Sequence, residues 1–287
     1  MVSGHLGHVI FKHLLERGFD IQAVFTNKGS DAIIDLAREK SLPLFVGNPR
    51  KGRATKFIQN IECDVLLSVN YLFIIEQDLI DLPSQYAINI HGSLLPKYRG
   101  RTPHVWAIIN GETEAGVTAH LIDKEVDNGD IVEQVKVPIT PTETGADILK
   151  KYEALYPGLA ESVLNSVQNN TIKFTPQKKE NAIYFGKRTP ADGQITWDWS
   201  KERIRNWVRA QAKPYPGAFT FFDEHKIIAH KAVFSDTGFN YEQKNGEILQ
   251  LSDHSITVKT PNGALTLENL ETNGLDRSIM KTGMILK

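Results

Sequence analysis

The chain has 287 residues, 41% hydrophobic and 23% charged, with a formal net charge of −1. This is the balance of an ordinary soluble globular protein, long enough for one large domain or two smaller ones. Apolar runs such as Val65 to Val69 are far too short to span a bilayer, the single cysteine (Cys63) excludes an intrachain disulfide, and the near-zero charge argues against a nucleic-acid backbone as ligand.

The opening residues carry no basic stretch followed by an apolar core, so the expected compartment is the cytoplasm. Val9, Ile10, Phe11, Leu14 and Leu15 fall at helical spacing over residues 8–17, with Gly18 as the C-cap. A short strand follows at 21–26, a helix at 32–40, a strand at 43–46, a helix at 51–61, a strand at 63–69, a short helix at 76–82 and a strand at 86–90. Strands alternating with helices at this rhythm predict βαβ units and a mostly parallel, Rossmann-like sheet. Such a domain normally opens with a strand, and none precedes Ser3-Gly4-His5-Leu6-Gly7-His8. That segment lacks the third glycine and the Lys-Ser/Thr ending of a phosphate loop and reads as a strand-to-helix turn. His5 and His8 have no third ligand nearby, so no metal is expected.

Beyond Gly116 the pattern changes. Residues 117–122 and 131–137 predict a hairpin around the 123–130 loop. A long helix over 144–168 starts at Thr144 with Asp147 three positions on, a capping-box arrangement. A polar linker spans 176–190. After it come a helix at 201–212 and short strands at 217–222, 226–234, 246–251, 255–259 and 263–270, the pattern of a small OB-like β-barrel. The division is then a catalytic domain at 1–175, a linker at 176–190 and a C-terminal domain at 191–287. Trp197, Trp199 and Trp207 are expected as core anchors of that last domain, and Cys63 as a small core residue.

The chemistry concentrates between Asn89 and Asp130. Strand alternation puts Asn89 and His91 on one face at the carboxyl end of a buried strand, where open α/β sheets bind ligands. Gly92 lets the chain leave the sheet sharply. A histidine suits proton transfer and an amide suits an oxyanion. Lys97, Arg99 and Arg101 lie in the Pro/Gly-rich loop that follows and suit an anionic ligand. Asp127, in Asp127-Asn128-Gly129-Asp130, is either a turn residue or the third member of the site; the spacing of a calcium loop is absent.

The run from Asn89 through Gly100, with Gly116-Val117-Thr118 and Val126 to Asp130, resembles the folate-dependent formyltransferases. Phe185 to Pro190 and Pro214 to Phe219 resemble the linker and OB-like C-terminal domain of the tRNA enzymes and of some sugar enzymes. Arg99 to Pro103, Trp106 and Asn110 to Thr113 look most like the domain that formylates UDP-4-amino-4-deoxy-L-arabinose. The resemblance implies N10-formyltetrahydrofolate as co-substrate and the amine of a nucleotide-linked 4-amino sugar (UDP-, dTDP- or GDP-linked) as acceptor, in surface glycan synthesis and with no metal. It implies Asn89, His91 and Asp127 as the catalytic set, with His91 protonated. It places the pterin against Tyr71, Leu72, Phe73 and Ile74 and against Asp123, Glu125 and Val126. Ser93, Lys97, Arg99, Arg101 and Pro103 fall to the acceptor. A homodimer is compatible with the resemblance. The alternative is a methionyl-tRNA formyltransferase, which a more basic chain would favour. A non-catalytic folate or nucleotide-sugar sensor and a formate-releasing hydrolase are the readings from other classes.

Overall fold

The computed structural model describes residues 1–272 and 274–287. They divide into two compact units, one of Met1–Gly100, Gly116–Val137 and Lys150–Phe185, the other of Arg101–Ala115, Pro138–Leu149 and Gly186–Lys287.

The first unit opens with α1 (Gly4–Glu16), which turns Leu6, Ile10, Phe11 and Leu14 inward at helical spacing. It continues through β1 (Val24–Thr26), α2 (Asp31–Glu39), β2 (Leu44–Val46), α3 (Thr55–Ile58), β3 (Val65–Val69), α4 (Gln77–Ile80), β4 (Tyr86–His91) and β5 (Arg99–Gly100). The helix expected over 51–61 contracts to α3, because Lys51 and Gly52 both take positive φ (60° and 70°) and cannot sit in a right-handed helix. The chain then passes through α5 (Pro103–Ile109) and β6 (Glu114–Leu121) to β7 (Ile131–Pro138), α6 (Gly145–Gln168) and β8 (Tyr184–Phe185). The capping box at the start of α6 forms: Thr144 N–H donates to Asp147 Oδ2 (2.9 Å) and Asp147 N–H to Thr144 Oγ1 (3.3 Å).

The main sheet of this unit has the order β3-β4-β6-β7. β1 and β2, β3 and β4, and the Val2–Val69 bridge are parallel, as expected of a Rossmann-like sheet, and β6 adds an antiparallel neighbour to β4. A parallel neighbour needs a long crossover; residues 92–113 instead form a loop, β5 and the short α5, and β6 returns in the opposite sense. β1 and β2 pair in parallel as a separate two-stranded ladder. Met1 and Val2 stand where an opening strand is expected. Val2 bridges Val69 in parallel, Val69 N–H donates to Met1 O (2.9 Å), and Val2 N–H donates to Phe25 O (2.9 Å). Phe25, Ala54, Leu66, Leu79 and Ala87 form a buried apolar cluster beneath. Among the described residues no helix is long and apolar enough to cross a membrane.

The second unit carries α7 (Lys201–Ala210) and five antiparallel strands, β9 (Ala218–Phe222), β10 (His225–Ser235), β11 (Ile248–Leu251), β12 (Ile256–Thr260) and β13 (Gly263–Glu271), in the order β11-β12-β13-β10-β9. Trp197 and Trp207 are buried as expected, and their indole N–H groups donate to Thr220 Oγ1 (3.0 Å) and Gly193 O (3.1 Å). The last residues join the two edges of the sheet. Ile248 N–H donates to Met284 O and Leu286 N–H to Gly246 O on the β11 side, while Phe221 and Lys287 exchange N–H···O bonds of 2.8 Å on the β9 side. Deleting residues 284–287 should therefore open both edges. We expect a fall in Tm of at least about 5 °C, measured by thermal unfolding followed by far-UV circular dichroism.

Candidate active site

β4 ends in Asn89 and His91, two residues apart and on one face. The antiparallel register sets Asn89 opposite His120 and His91 opposite Thr118 on β6. Asp127 comes from the loop after β6. Its Oδ2 lies 3.5 Å from His91 Nδ1, and its Oδ1 lies 3.6 Å from His120 Nε2. The side chains of His91 and Asp127 are each 9% exposed and that of His120 3%. The sequence-predicted set of Asn89, His91 and Asp127 thus meets in one place, Asn89 half-buried and the other two buried, with His120 as an addition.

Asp127 adopts a left-handed backbone (φ 54°) that an aspartate tolerates better than most residues. Several bonds hold it there. Gly100 N–H donates to Asp127 Oδ2 (2.8 Å), and Gln177 Nε2 donates to the carbonyls of Asp127 (3.0 Å) and Gly129 (2.7 Å). Arg99 is 2% exposed and binds Gln177 Oε1 (2.6 Å), Asn128 Oδ1 (3.0 Å) and the Tyr184 hydroxyl (2.7 Å). Its guanidinium is spent on shaping the aspartate loop, not left facing outward as the loop sequence suggested. Gly129 is tight for a different reason: a Cβ there would lie 2.0 Å from Leu121 O. Gly92 likewise serves space and not a left-handed turn, since a Cβ would meet Tyr156 Oη at 3.1 Å and Tyr152 Cε2 at 3.2 Å.

His91 Nε2 lies 2.9 Å from Tyr98 O, an acceptor, so that nitrogen carries the hydrogen. Nδ1 is left toward Asp127. Burial pushes the His91 ring below the ordinary imidazole range; Asp127 and the Tyr98 carbonyl pull it up, and His120 adds to the depression. Burial thus works against the protonated form that the resemblance implies. Burial works to raise the Asp127 carboxyl, but His91, His120 and the Gly100 N–H outweigh it and hold the group at about 2. The resting arrangement is an ionised Asp127 beside an imidazole nitrogen able to take a proton. The loop between β4 and β5 is fixed by Thr118, whose hydroxyl donates to Ser93 O (2.6 Å) and accepts from Leu95 N–H (3.2 Å), and by Gln134, which donates to Leu95 O (2.9 Å).

The profile of the family described as formyl transferase matches residues 5–160, and that of the formyl transferase C-terminal domain matches residues 187–282. The chain belongs to the formyl transferase family. Similar solved structures include the sugar 3N-formyl transferase WlaRD in the presence of dTDP and 5-N-formyl-THF, at 20% identity and TM-score 0.74, covering 93% of this chain and 96% of that one. Another is an N-formyltransferase of Helicobacter canadensis in complex with folinic acid and dTDP-3-aminofucose, at 19% identity and TM-score 0.75, covering 94% and 98%. A third is a 4-N formyltransferase of Francisella tularensis, at 23% identity and TM-score 0.60, covering 74% and 86%.

In this formyl transferase the remaining sequence-predicted residues fall as follows. After β3, Leu72 and Ile74 are exposed (44% and 57%), and Tyr71 and Phe73 pack edge to face at 5.5 Å. In the loop after β6, Asp123, Glu125 and Val126 are exposed, and Asp123 Oδ1 accepts from Glu125 N–H (2.8 Å). Ser93 is buried, and its hydroxyl donates to Lys97 O (2.7 Å). The Lys97 and Arg101 residues are exposed, and Pro103 opens α5. The sequence reading missed His120 and Gln177. His120 could have been found, because Thr118 and His120 alternate on the strand beside Asn89 and His91; Gln177 lies in a linker and gives no such signal.

Gly129→Ala should force the aspartate loop away from Leu121. The expected result is a stability loss of about 1–3 kcal/mol in thermal unfolding, with formyl transfer reduced by a larger factor than that loss of folded protein explains.

Proposed function

We propose that the protein transfers the formyl group of N10-formyltetrahydrofolate to the amine of a nucleotide-linked amino sugar, in the cytoplasm, as a step toward a surface glycan. The observation that carries the reading is the convergence of Asn89, His91 and Asp127 around His120 at the end of β4. The sugar N-formyltransferases similar in fold support it, two of them with a folate and dTDP or a dTDP-linked sugar. We further propose that residues 1–175 carry the chemistry, 176–190 link, and 191–287 form an OB-like barrel that provides a homodimer surface.

The residues after β3 and β6 fit a folate. Leu72, Ile74 and Val126 present apolar surface, and the Tyr71 hydroxyl is buried without a hydrogen-bond partner. Tyr71, Leu72, Phe73 and Ile74 would take one side of the pterin, and Asp123, Glu125 and Val126 the other. N10-formyltetrahydrofolate supplies an electrophilic formyl carbon when bound. Asn89 donates an amide N–H to the oxygen that gains charge. As the amine bonds to the formyl carbon, His91 accepts its proton at Nδ1 and Asp127 stabilises the imidazolium so formed; the proton then passes to N10 as the formyl C–N10 bond breaks and tetrahydrofolate leaves. Tyr98 O holds the far side of the ring through Nε2–H. Lys97 and Arg101 would take the diphosphate of the acceptor, with Ser93 and Pro103 shaping the loop and Arg99 acting from behind it.

The test is a mass-spectrometric assay with N10-formyltetrahydrofolate against UDP-, dTDP- and GDP-linked 3-amino and 4-amino sugars, with charged initiator tRNA alongside. Gain of one formyl group on a nucleotide sugar is expected. Formylation of the tRNA alone would replace this reading with its alternative, against which the net charge of −1 speaks. Asn89→Ala, His91→Ala and Asp127→Ala should each lower kcat by about 100-fold or more while the fold persists.

The pH profile gives a second check. His91 works as a base and its proton affinity is depressed, so the acid limb of kcat/KM should lie below the ordinary imidazole value of about 6.5. Asp127 raises that affinity, so Asp127→Asn should move the limb to still lower pH while kcat falls. A limb moving upward would contradict the assigned roles.

A further inference from the structure

Asn89 can work as an oxyanion donor only if its amide nitrogen, not its oxygen, faces the reacting group. A carboxamide has two flip states of nearly equal shape, so something beside it must choose between them. The neighbour opposite Asn89 in the sheet is His120.

His120 Nδ1 lies 2.7 Å from Leu121 O. A carbonyl only accepts, so Nδ1 carries a hydrogen, and Nε2, with the Asn89 amide nitrogen as its nearest polar neighbour, is placed to accept. That Nε2 lies 3.1 Å from Asn89 Nδ2. The amide therefore donates one N–H to His120 and keeps its second N–H free. The flipped amide would set its oxygen against the Nε2 lone pair, an acceptor facing an acceptor. Asp127 Oδ1, at 3.6 Å from the same Nε2, lies outside the ordinary hydrogen-bond range of about 2.7–3.2 Å and already has a close donor on its other oxygen in Gly100 N–H. The His120 side chain is only 3% exposed, so water does not compete for Nε2.

We propose that His120 is a positioning residue for the reaction: through the chain Leu121 O, His120 ring, Asn89 amide it fixes the flip state that presents an N–H to the oxygen of the formyl group. This rests on the reading of the protein as a formyl transferase that uses Asn89 as a donor. His120 itself does not touch the substrate and moves no proton.

The experiment is a double-mutant cycle on the full chain with His120→Ala, Asn89→Ala and the pair, assayed for formyl transfer to the acceptor the wild type uses, with Tm recorded for each. His120→Ala should lower kcat by about 10-fold or more, with KM changed less than about 3-fold. In the Asn89→Ala background the same substitution should change kcat by less than about 3-fold, because the group it orients is gone. His120→Gln, which can offer an amide oxygen to Asn89, should recover part of the loss. Equal fold-losses in both backgrounds would overturn the proposal, since His120 would then act independently of Asn89. A turnover-free measurement separates this from failure of the formyl-transfer reading: imidazole ¹⁵N shifts of the wild type at pH 7.5. A protonated Nδ1 with a bare Nε2 on His120 is expected whether or not any acceptor is found. An Nε2-protonated ring or an imidazolium would overturn the assignment.

Discussion

A buried aspartate charge is the constraint around which the first unit is arranged. Asp127 stays ionised although its side chain is only 9% exposed, which requires a donor to replace the water it has lost. Gly100 provides a backbone N–H at 2.8 Å, and the rings of His91 and His120 lie 3.5 and 3.6 Å from its two oxygens. Those partners come from β4, β5 and β6, so the antiparallel turn of β6 against β4 is what brings them together. Arg99 and Gln177 then hold the loop in the left-handed conformation the aspartate needs. The strain of that backbone is balanced by hydrogen bonds to the loop's own carbonyls.

The same arrangement divides the cations of the 97–101 segment between two tasks. Arg99 faces inward, stacks its guanidinium over Tyr184 at 5.3 Å and, among the described residues, takes the neutral oxygens of Gln177, Asn128 and Tyr184 as partners. Lys97 and Arg101 remain exposed. In the proposed acceptor role these two side chains would act through water that screens them, which favours fast capture and release over tight retention.

Much of this was legible in the sequence. The strand alternation of 86–91, the capping box at Thr144 and the turn-separated strands of the second unit are local patterns, and local patterns survive into the fold. The joining of Asn89, His91 and Asp127 was carried by family resemblance, because no spacing rule connects a strand end to a loop past the next strand. Three things stayed hidden. The direction of β6 depends on what residues 92–113 do, which periodicity does not report. The inward turn of Arg99 depends on Gln177 and Tyr184, distant in sequence. The lowered proton affinity of His91 depends on burial, which only the packed structure sets.

The attachment of the β1–β2 ladder has a mechanical consequence. Val2 N–H donates to Phe25 O, Met1 and Val2 are tied to β3 on the other side, and Phe25 and Leu66 share one apolar cluster. The ladder is thus held by side-chain packing as well as by backbone pairing, so a cavity opened at Phe25 removes support from β1 and β3 together.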